Sequence, residues 1–497
     1  MKYVIGVDLG TSSVKVILMN EHGEIINEVS HSYSLHQPYP SYSEQYPEEW
    51  VMKTILALKE IISDINPALV EGLSFSGQMH GLVLLDKNHN VIRPAILWND
   101  TRTTKQCHDI NEKVGEENLL LITKNHALEG FTLPKLLWVK ENEPENFEKT
   151  KVVLLPKDYL RFRLTNEINM EYSDAAGTLL LDIKEKQWSK QICRQFELDE
   201  NLLPQLVESH DWVGNLSKEM ARRTGFTTEL KIFAGGADNA CGAVGSGVLS
   251  TGITMCSIGT SGVVLSYEDS SDQDYNGKVH YFNHVKEDAY YIMGVTLSAG
   301  ESLKWFMKNF AGKESFDSLF KSLHTTSIGA NGLLFTPYLQ GERTPHANAD
   351  VRGSFVGIDS SHKSQDFLRA VIEGITFSLN ESIHLFRQQG KPVNDQVISI
   401  GGGAKSDSWL QIQADIFNAK VIKLKNEQGP AVGAAIIAAY GCRWYKTLAE
   451  GANQIVQIDE EFFPNRENAK RYGELFSVYR SIYERTMQIS RDLKTYR

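Results

Sequence analysis

The chain has 497 residues, too many for one hydrophobic core and enough for two or three domains. With 41% hydrophobic and 10% aromatic residues it has the make-up of a folded protein without long disordered stretches. A formal net charge of -11 speaks against nucleic acid or a membrane surface as partner, since both call for a strong positive field, so any anion must be held locally, by backbone amides or a metal ion.

In chain order, residues 3–7, 14–19 and 25–29 are rich in β-branched side chains, with a turn at Glu21-His22-Gly23-Glu24, and predict an antiparallel meander. A strand pattern starting at Tyr3 leaves no room for a signal peptide. A helix is predicted from Pro47, with Glu48 and Glu49 at its positive end and Val51, Ile55, Leu58, Ile62 and Ile65 at helical spacing. A strand at 72–76 follows, so strands and helices alternate and the fold class is α/β. Glycine-rich GGADNACGAVGSGVLSTG, residues 235–252, predicts close backbone approach and a hinge. The expected domains are residues 1–246 and 247–497.

Beyond the boundary the scheme returns. Residues 252–267 repeat the opening hairpin, 290–295 predict a strand, and Leu368, Ile372, Ile375, Leu379, Ile383 and Phe386 mark a long amphipathic helix. A strand at 396–400 runs into GGGAKSD, followed by a helix marked by Leu410, Ala414 and Phe417. The apolar run GPAVGAAIIAAYG, residues 429–441, is too short to span a bilayer and predicts a buried helix, so no membrane association is expected. Five scattered cysteines without C-x-x-C spacing fit free thiols in a reducing cytoplasm.

The repeat is the informative feature. IGVDLGTSSVKVILMN (5–20) and TMCSIGTSGVVLSY (254–267) each place a Gly-Thr-Ser turn between two strands. Such a turn converges backbone N–H groups and hydroxyls on one point, a nest for phosphate. One copy is an ordinary hairpin; two copies, each after an apolar strand, can grip a polyphosphate from both sides. A P-loop motif is missing, so a nucleotide site here is of another kind.

These features resemble the FGGY family of sugar kinases, within the actin-like ATPase superfamily. The likeness runs along the chain through DLGTSSVK (8–15), SGQMHGLVLLD (76–86), ILWNDTRT (96–103), LPKDYLRFRLT (155–165), YSDAAGTLLLD (172–182), GGADNACGAVG (235–245), SIGTSG (257–262), YLQGERTPHANADVRG (338–353) and GGGAKSDSW (401–409). It implies two actin-like (ribonuclease H-like) domains flanking a cleft, with sugar on the N-terminal side and ATP with Mg²⁺ on the C-terminal side. The implied reaction is phosphorylation of D-xylulose at its primary hydroxyl, with ribulose, gluconate or glycerol as alternative acceptors. A cytoplasmic homodimer is also implied.

The resemblance assigns roles that elementary chemistry can weigh. Asp238 is the expected base for the hydroxyl proton, the alternative being a cap for the helix beginning near Asn239. Asp8 is expected to be catalytic and to hold Mg²⁺, or only to cap its turn. Gly10, Thr11 and Ser12 are expected at the transferred phosphate, with Lys15 either a contributor or a solvated charge. Gly259, Thr260 and Ser261 are expected at the nucleotide phosphates, Gly403, Ala404 and Asp407 at the adenosine, and Gly300 and Lys304 beside them. Met79 and His80, with Gln78 and Asn239, are expected to hold the sugar, because a polyol needs several fixed donors and acceptors. Trp98, Asp100 and Arg102 are read as pocket shape or a structural ion pair, while Glu342, Arg343 and His346 fit an interdomain ion-pair network as well as catalysis and are left out of the catalytic set. An actin-like nucleotide switch is the competing class; it has no need of Asp238 or of a polar pocket near His80.

Overall fold

A computed structural model describes residues 1–310, 320–321, 323, 325–388, 396–425 and 429–497. It has two seven-stranded sheets, one in each half of the chain. The first is built from β1 (Tyr3–Leu9), β2 (Ser13–Asn20), β3 (Ile25–Ser32), β4 (Val70–Gly77), β5 (Trp212–Asn215) and β6 (Lys231–Phe233) in the order β5-β6-β4-β1-β2-β3, with the short strand Gly236–Ala237 beside β4. The expected meander is present: β1, β2 and β3 are antiparallel neighbours, and β4 then joins β1 in parallel.

The second sheet repeats that core. Its strands are β7 (Ile253–Ile258), β8 (Gly262–Glu268), β9 (His280–Asn283), β10 (Tyr290–Thr296), β11 (Gln396–Gly401), β12 (Lys420–Leu424) and β13 (Ile458–Phe462). The order is β9-β10-β8-β7-β11-β12-β13. Here β7, β8 and β10 form the antiparallel meander, while β11 joins β7 and β12 joins β11 in parallel. Two sheets sharing one strand plan are the fold expected of paired actin-like domains.

Helices cover both sheets. Helix α1 (Pro47–Ile61) lies against β2 and β3 and buries Trp50, Val51, Ile55 and Leu58. It is shorter than its apolar spacing predicts: Ile62 is its C-cap and Ile65 lies outside it. Asn66 precedes Pro67, a pairing that disfavours helical backbone. Strand alternation sends Tyr3, Ile5, Val7 and Leu9 into the core beneath α1, which leaves Val4, Gly6 and Asp8 on the opposite face.

That opposite face is closed by the other half of the chain. Helix α2 (Asp238–Gly245) ends the first half, and the apolar run forms α3 (Pro430–Gly441), whose residues from Ala431 to Ala439 are all buried. Helix α3 packs on α2, β1 and β4. Small residues permit this: a Cβ on Gly6 would stand 2.0 Å from the Ala431 carbonyl oxygen, and one on Gly433 1.9 Å from that of Cys241. The core therefore runs without a break from this interlock into the second sheet. Among the described residues no helix is long and apolar enough to cross a membrane.

Candidate active site

Asp8 and Asp238 meet where the first sheet faces the interlock. Asp8 is the last residue but one of β1, beside Ser76 on β4 and Lys15 on β2. Burial pushes its carboxyl up to about 6, with Ser76 and Lys15 pulling the other way. Its Oδ1 is buried with no hydrogen-bond partner. Asp238 is the first residue of α2, and Ala237 occupies the N-cap position without a side-chain cap bond. The carboxylate instead accepts from its neighbour Asn239, from N at 2.6 Å and Nδ2 at 2.9 Å. Burial, then the nearby Asp8 charge, raises Asp238 to about 7, against those two hydrogen bonds.

A cavity of about 150 Å³ opens beside Asp238. A cavity of that volume accepts one small molecule, on the scale of a small polyol. Met79, His80 and Asn239 line it with Asp238, so most of the expected sugar residues come together, and Ser261 of the second turn reaches it from the other half. Met79 Sδ accepts from Asn239 Nδ2 at 3.6 Å and from the Tyr291 hydroxyl at 3.8 Å. Gln78 does not line the cavity; its Nε2 donates to Gln45 Oε1 at 3.2 Å.

His80 is held in an unusual state. Its φ of +66° is rare for a residue with a side chain, a strain that concentrates at functional positions. The buried Lys135 ammonium secures the local backbone by donating to the carbonyls of His80, Phe131 and Gly130. The ring Nδ1 lies 2.7 Å from the Gly177 carbonyl, and Phe131 packs edge-on at 4.8 Å. Burial lowers His80 to about 3, so the ring is neutral at physiological pH. With Nδ1–H donating to Gly177, Nε2 is left as an acceptor for a hydroxyl.

Both Gly-Thr-Ser turns have their carbonyls occupied. In the first, the Tyr33 hydroxyl bonds Gly10 O, Gln45 Nε2 bonds Thr11 O at 2.7 Å, and Tyr33 N bonds Ser12 O at 3.2 Å. In the second, Gly300 N bonds Gly259 O at 2.9 Å, Ala299 N and Glu301 N bond Thr260 O, and Gly259 N bonds Ser261 O. The bonds to Gly259 O and Thr260 O come from Ala299 and the start of helix α4 (Gly300–Phe310), where a Cβ on Gly300 would stand 2.4 Å from Gly259 O. Trp98 Nε1 donates to Thr11 Oγ1 at 2.9 Å while its ring lines the cavity, which sets the first turn at the rim.

The expected adenosine residues lie along the second turn. Ile258 pairs with Gly401 and lies against Gly403, which is buried together with Ala404. Lys304 is exposed on α4. Asp407 is exposed and paired with Lys423 at 3.1 Å, and Lys15 is paired with Glu28 at 3.0 Å. Arg102 pairs with both Asp100 and Glu44 outside the cavity lining, where Asp100 also accepts from Ser43 N at 2.6 Å.

The structure divides the dense polar loop. Buried Glu342 ties the loop to β10, accepting from Arg343 N and Leu297 N with one oxygen and from Thr296 and Ser378 hydroxyls with the other. His346 stacks on Tyr483 at 3.6 Å. Arg343, by contrast, lines the cavity, as do Phe131 and His280. Motif reasoning did not single out Phe131 and His280, and it left Arg343 outside the catalytic set, its only signal a cation between Glu and Thr in a loop of mixed charge.

The comparisons with known proteins agree along the chain. The N-terminal domain of the FGGY family of carbohydrate kinases matches residues 3–245, and its C-terminal domain matches residues 254–442. A xylulose kinase of Bacillus subtilis (strain 168) is 58% identical over 499 residues, covering 100% of both chains. Among solved structures, a kinase from Brucella ovis described as a xyloylose kinase is similar at TM-score 0.91 and 32% identity, over 98% of this chain and 100% of that one. A ligand-bound xylulose kinase from Lactobacillus acidophilus is similar at TM-score 0.93 and 26% identity, over 98% of each.

Proposed function

Since the chain belongs to the FGGY family of carbohydrate kinases and is a sugar kinase, we propose that it transfers the γ-phosphate of ATP to the primary hydroxyl of D-xylulose, giving D-xylulose 5-phosphate and ADP. The observation that carries this reading is the small cavity joining Met79, His80, Asp238 and Asn239 of one half to Ser261 of the other. A polyol seated there meets a carboxylate base on one side and a phosphate turn on the other. The naming of the Bacillus subtilis relative as a xylulose kinase supports the choice of sugar.

In this reading Asp238 takes the hydroxyl proton as the oxygen attacks phosphorus, and its pKa near 7 suits a base that is ionised yet still basic. Neutral His80 accepts a sugar hydroxyl at Nε2, and Asn239 fixes the Asp238 carboxylate. The Thr and Ser N–H groups of the two turns receive the phosphates, since Gly10 N and Gly259 N close the turns on Ser13 O and Ser261 O and the turn carbonyls are already engaged. Gly403 and Ala404 border the adenosine, with Gly300, Lys304 and Asp407 around them.

Asp8 fits Mg²⁺ because its orphaned anionic Oδ1 is the donor a hard cation prefers. Among the described residues no group of three or more His, Cys, Asp or Glu could hold a metal, so further oxygen ligands would come from ATP and water. When bound, the ion neutralises charge on the transferred phosphate. The same reading has the protein acting as a cytoplasmic homodimer, its five cysteines free.

The test of substrate is ADP release with Mg-ATP over D-xylulose, D-ribulose, L-ribulose, gluconate and glycerol. D-xylulose is expected to give the highest kcat/KM by at least about tenfold, the discrimination a matched hydroxyl supplies; a higher value for another acceptor would reject xylulose and keep the kinase.

A pH profile tests the base. Asp238 accepts a proton only as carboxylate, so activity is present above its pKa and lost below it. At low ATP, kcat/KM for the sugar should rise with pH to a plateau above about 7. Asp8→Asn should move the midpoint of the residual activity downward, because the Asp8 charge is one of the two causes that raise it. An unmoved midpoint would assign the titration to another group.

A further inference from the structure

Among the described residues Arg343 is the one Arg or Lys lining the cavity, and its position is fixed from both sides. Glu342 Oε1 accepts from its backbone N–H at 2.8 Å, and the next residue, Thr344, is bonded to Val295 through both N and Oγ1. Yet among the described residues the guanidinium forms no ion pair or hydrogen bond; Glu129 and Glu342 act on it only through their fields. Burial holds its pKa below the usual arginine value. A half-buried guanidinium that lines a cavity with five donors and no protein acceptor is a ready partner for ligand oxygens.

Location narrows the ligand. Arg343 shares the cavity wall with His80 and His280, and its charge helps to keep both rings neutral. Arg343 enters the cavity from the second half of the chain, beside Val295 of β10, whereas Asp238 enters it from α2 of the first. A guanidinium fork matches two adjacent oxygens, which an open-chain ketose presents as its carbonyl and neighbouring hydroxyls.

We propose that Arg343 is a sugar-binding residue contributed by the second half of the chain, its guanidinium donating to two neighbouring oxygens of the ketose. This rests on the kinase reading above and adds to it a direct link between the halves. Met79, His80, Asp238 and Asn239 belong to the first half, so a sugar held by these and by Arg343 ties the two halves together before any phosphate is transferred. Sugar binding thus favours the closed cleft.

The experiment compares wild type, Arg343→Met and Arg343→Lys in steady-state kinetics with D-xylulose and ATP varied separately. Loss of a charged paired contact should raise KM for the sugar about 10- to 100-fold in Arg343→Met, with KM for ATP within about twofold and kcat within about threefold. Arg343→Lys, a single point charge, should fall between the two. A sugar KM within about twofold of wild type in either variant would overturn the inference, as would a parallel loss of ATP affinity, the mark of a merely structural role. If Arg343→Met does not fold, the lysine variant decides alone by the same criteria. Wild type failing to phosphorylate any sugar would instead bring down the underlying kinase reading, so the two failures are distinct.

Discussion

Asp238→Asn is expected to lower kcat about 1,000-fold while KM for ATP changes by no more than about twofold, measured by coupled ADP release at saturating sugar. The substitution is nearly isosteric, and an amide oxygen can still accept from Asn239 N and Nδ2, which now bond the carboxylate at 2.6 and 2.9 Å. What disappears is proton acceptance. An Asp serving only as a helix cap would give the opposite pattern, a lower melting temperature with kcat preserved. That outcome would remove Asp238 as the base. The environment argues for loss of kcat: Asp238 is the first helical residue with no capping bond to the next turn, and burial with the Asp8 charge raises it to about 7. A carboxyl destabilised in its charged form and facing a cavity is arranged for proton transfer.

The second large effect is on stability. Gly433→Ala should cost about 3 kcal/mol or more, at the upper end of what overpacking does, and lower Tm by at least about 3 °C. The added methyl would stand 1.9 Å from the Cys241 carbonyl oxygen and 2.6 Å from its carbon. Both are backbone atoms, so no rotamer change relieves the clash; α3 has to move off α2 and the first sheet. Gly473 in the helix Arg466–Asp492 is the matched control, with nothing within 4 Å of a Cβ there. Gly473→Ala should stabilise by about 0.5–1 kcal/mol through the helix propensity of alanine. Thermal melts of the two variants giving equal shifts would refute the close-packed interlock.

The local elements were legible because their signals are local. Period-two and period-3.6 patterns located β1, β2, β3, β4, α1 and the hairpin of β7 and β8, and the repeated turn pointed to two similar sheets. The strand β13 (IDEEF) was not recognised: four of its five residues are exposed, and such an edge shows no apolar alternation. The run 429–441 read correctly as a buried helix, but its hydrophobicity on all sides names no partner; only the three-dimensional fold shows it beneath the first sheet. The cavity was legible where motif and geometry coincide, at Met79, His80, Asp238 and Asn239. Phe131, His280 and Arg343 come from distant loops and strands, and convergence of that kind leaves no spacing to read. Gln78 shows the converse, a motif residue directed at Gln45.

The interlock also has a consequence in time. Protein synthesis runs from the N-terminus, so β1 and β4 leave the ribosome long before the helix Pro430–Gly441 that covers them. At about 5–20 residues per second, the roughly 200 residues between Gly245 and Gly441 take on the order of 10–40 s to make. During that interval the face carrying Val4, Gly6 and Asp8 lacks its cover, and the nascent first half is a candidate for chaperone binding. Active enzyme is thus a late event in the birth of each chain, completed only when its final third arrives to close the first.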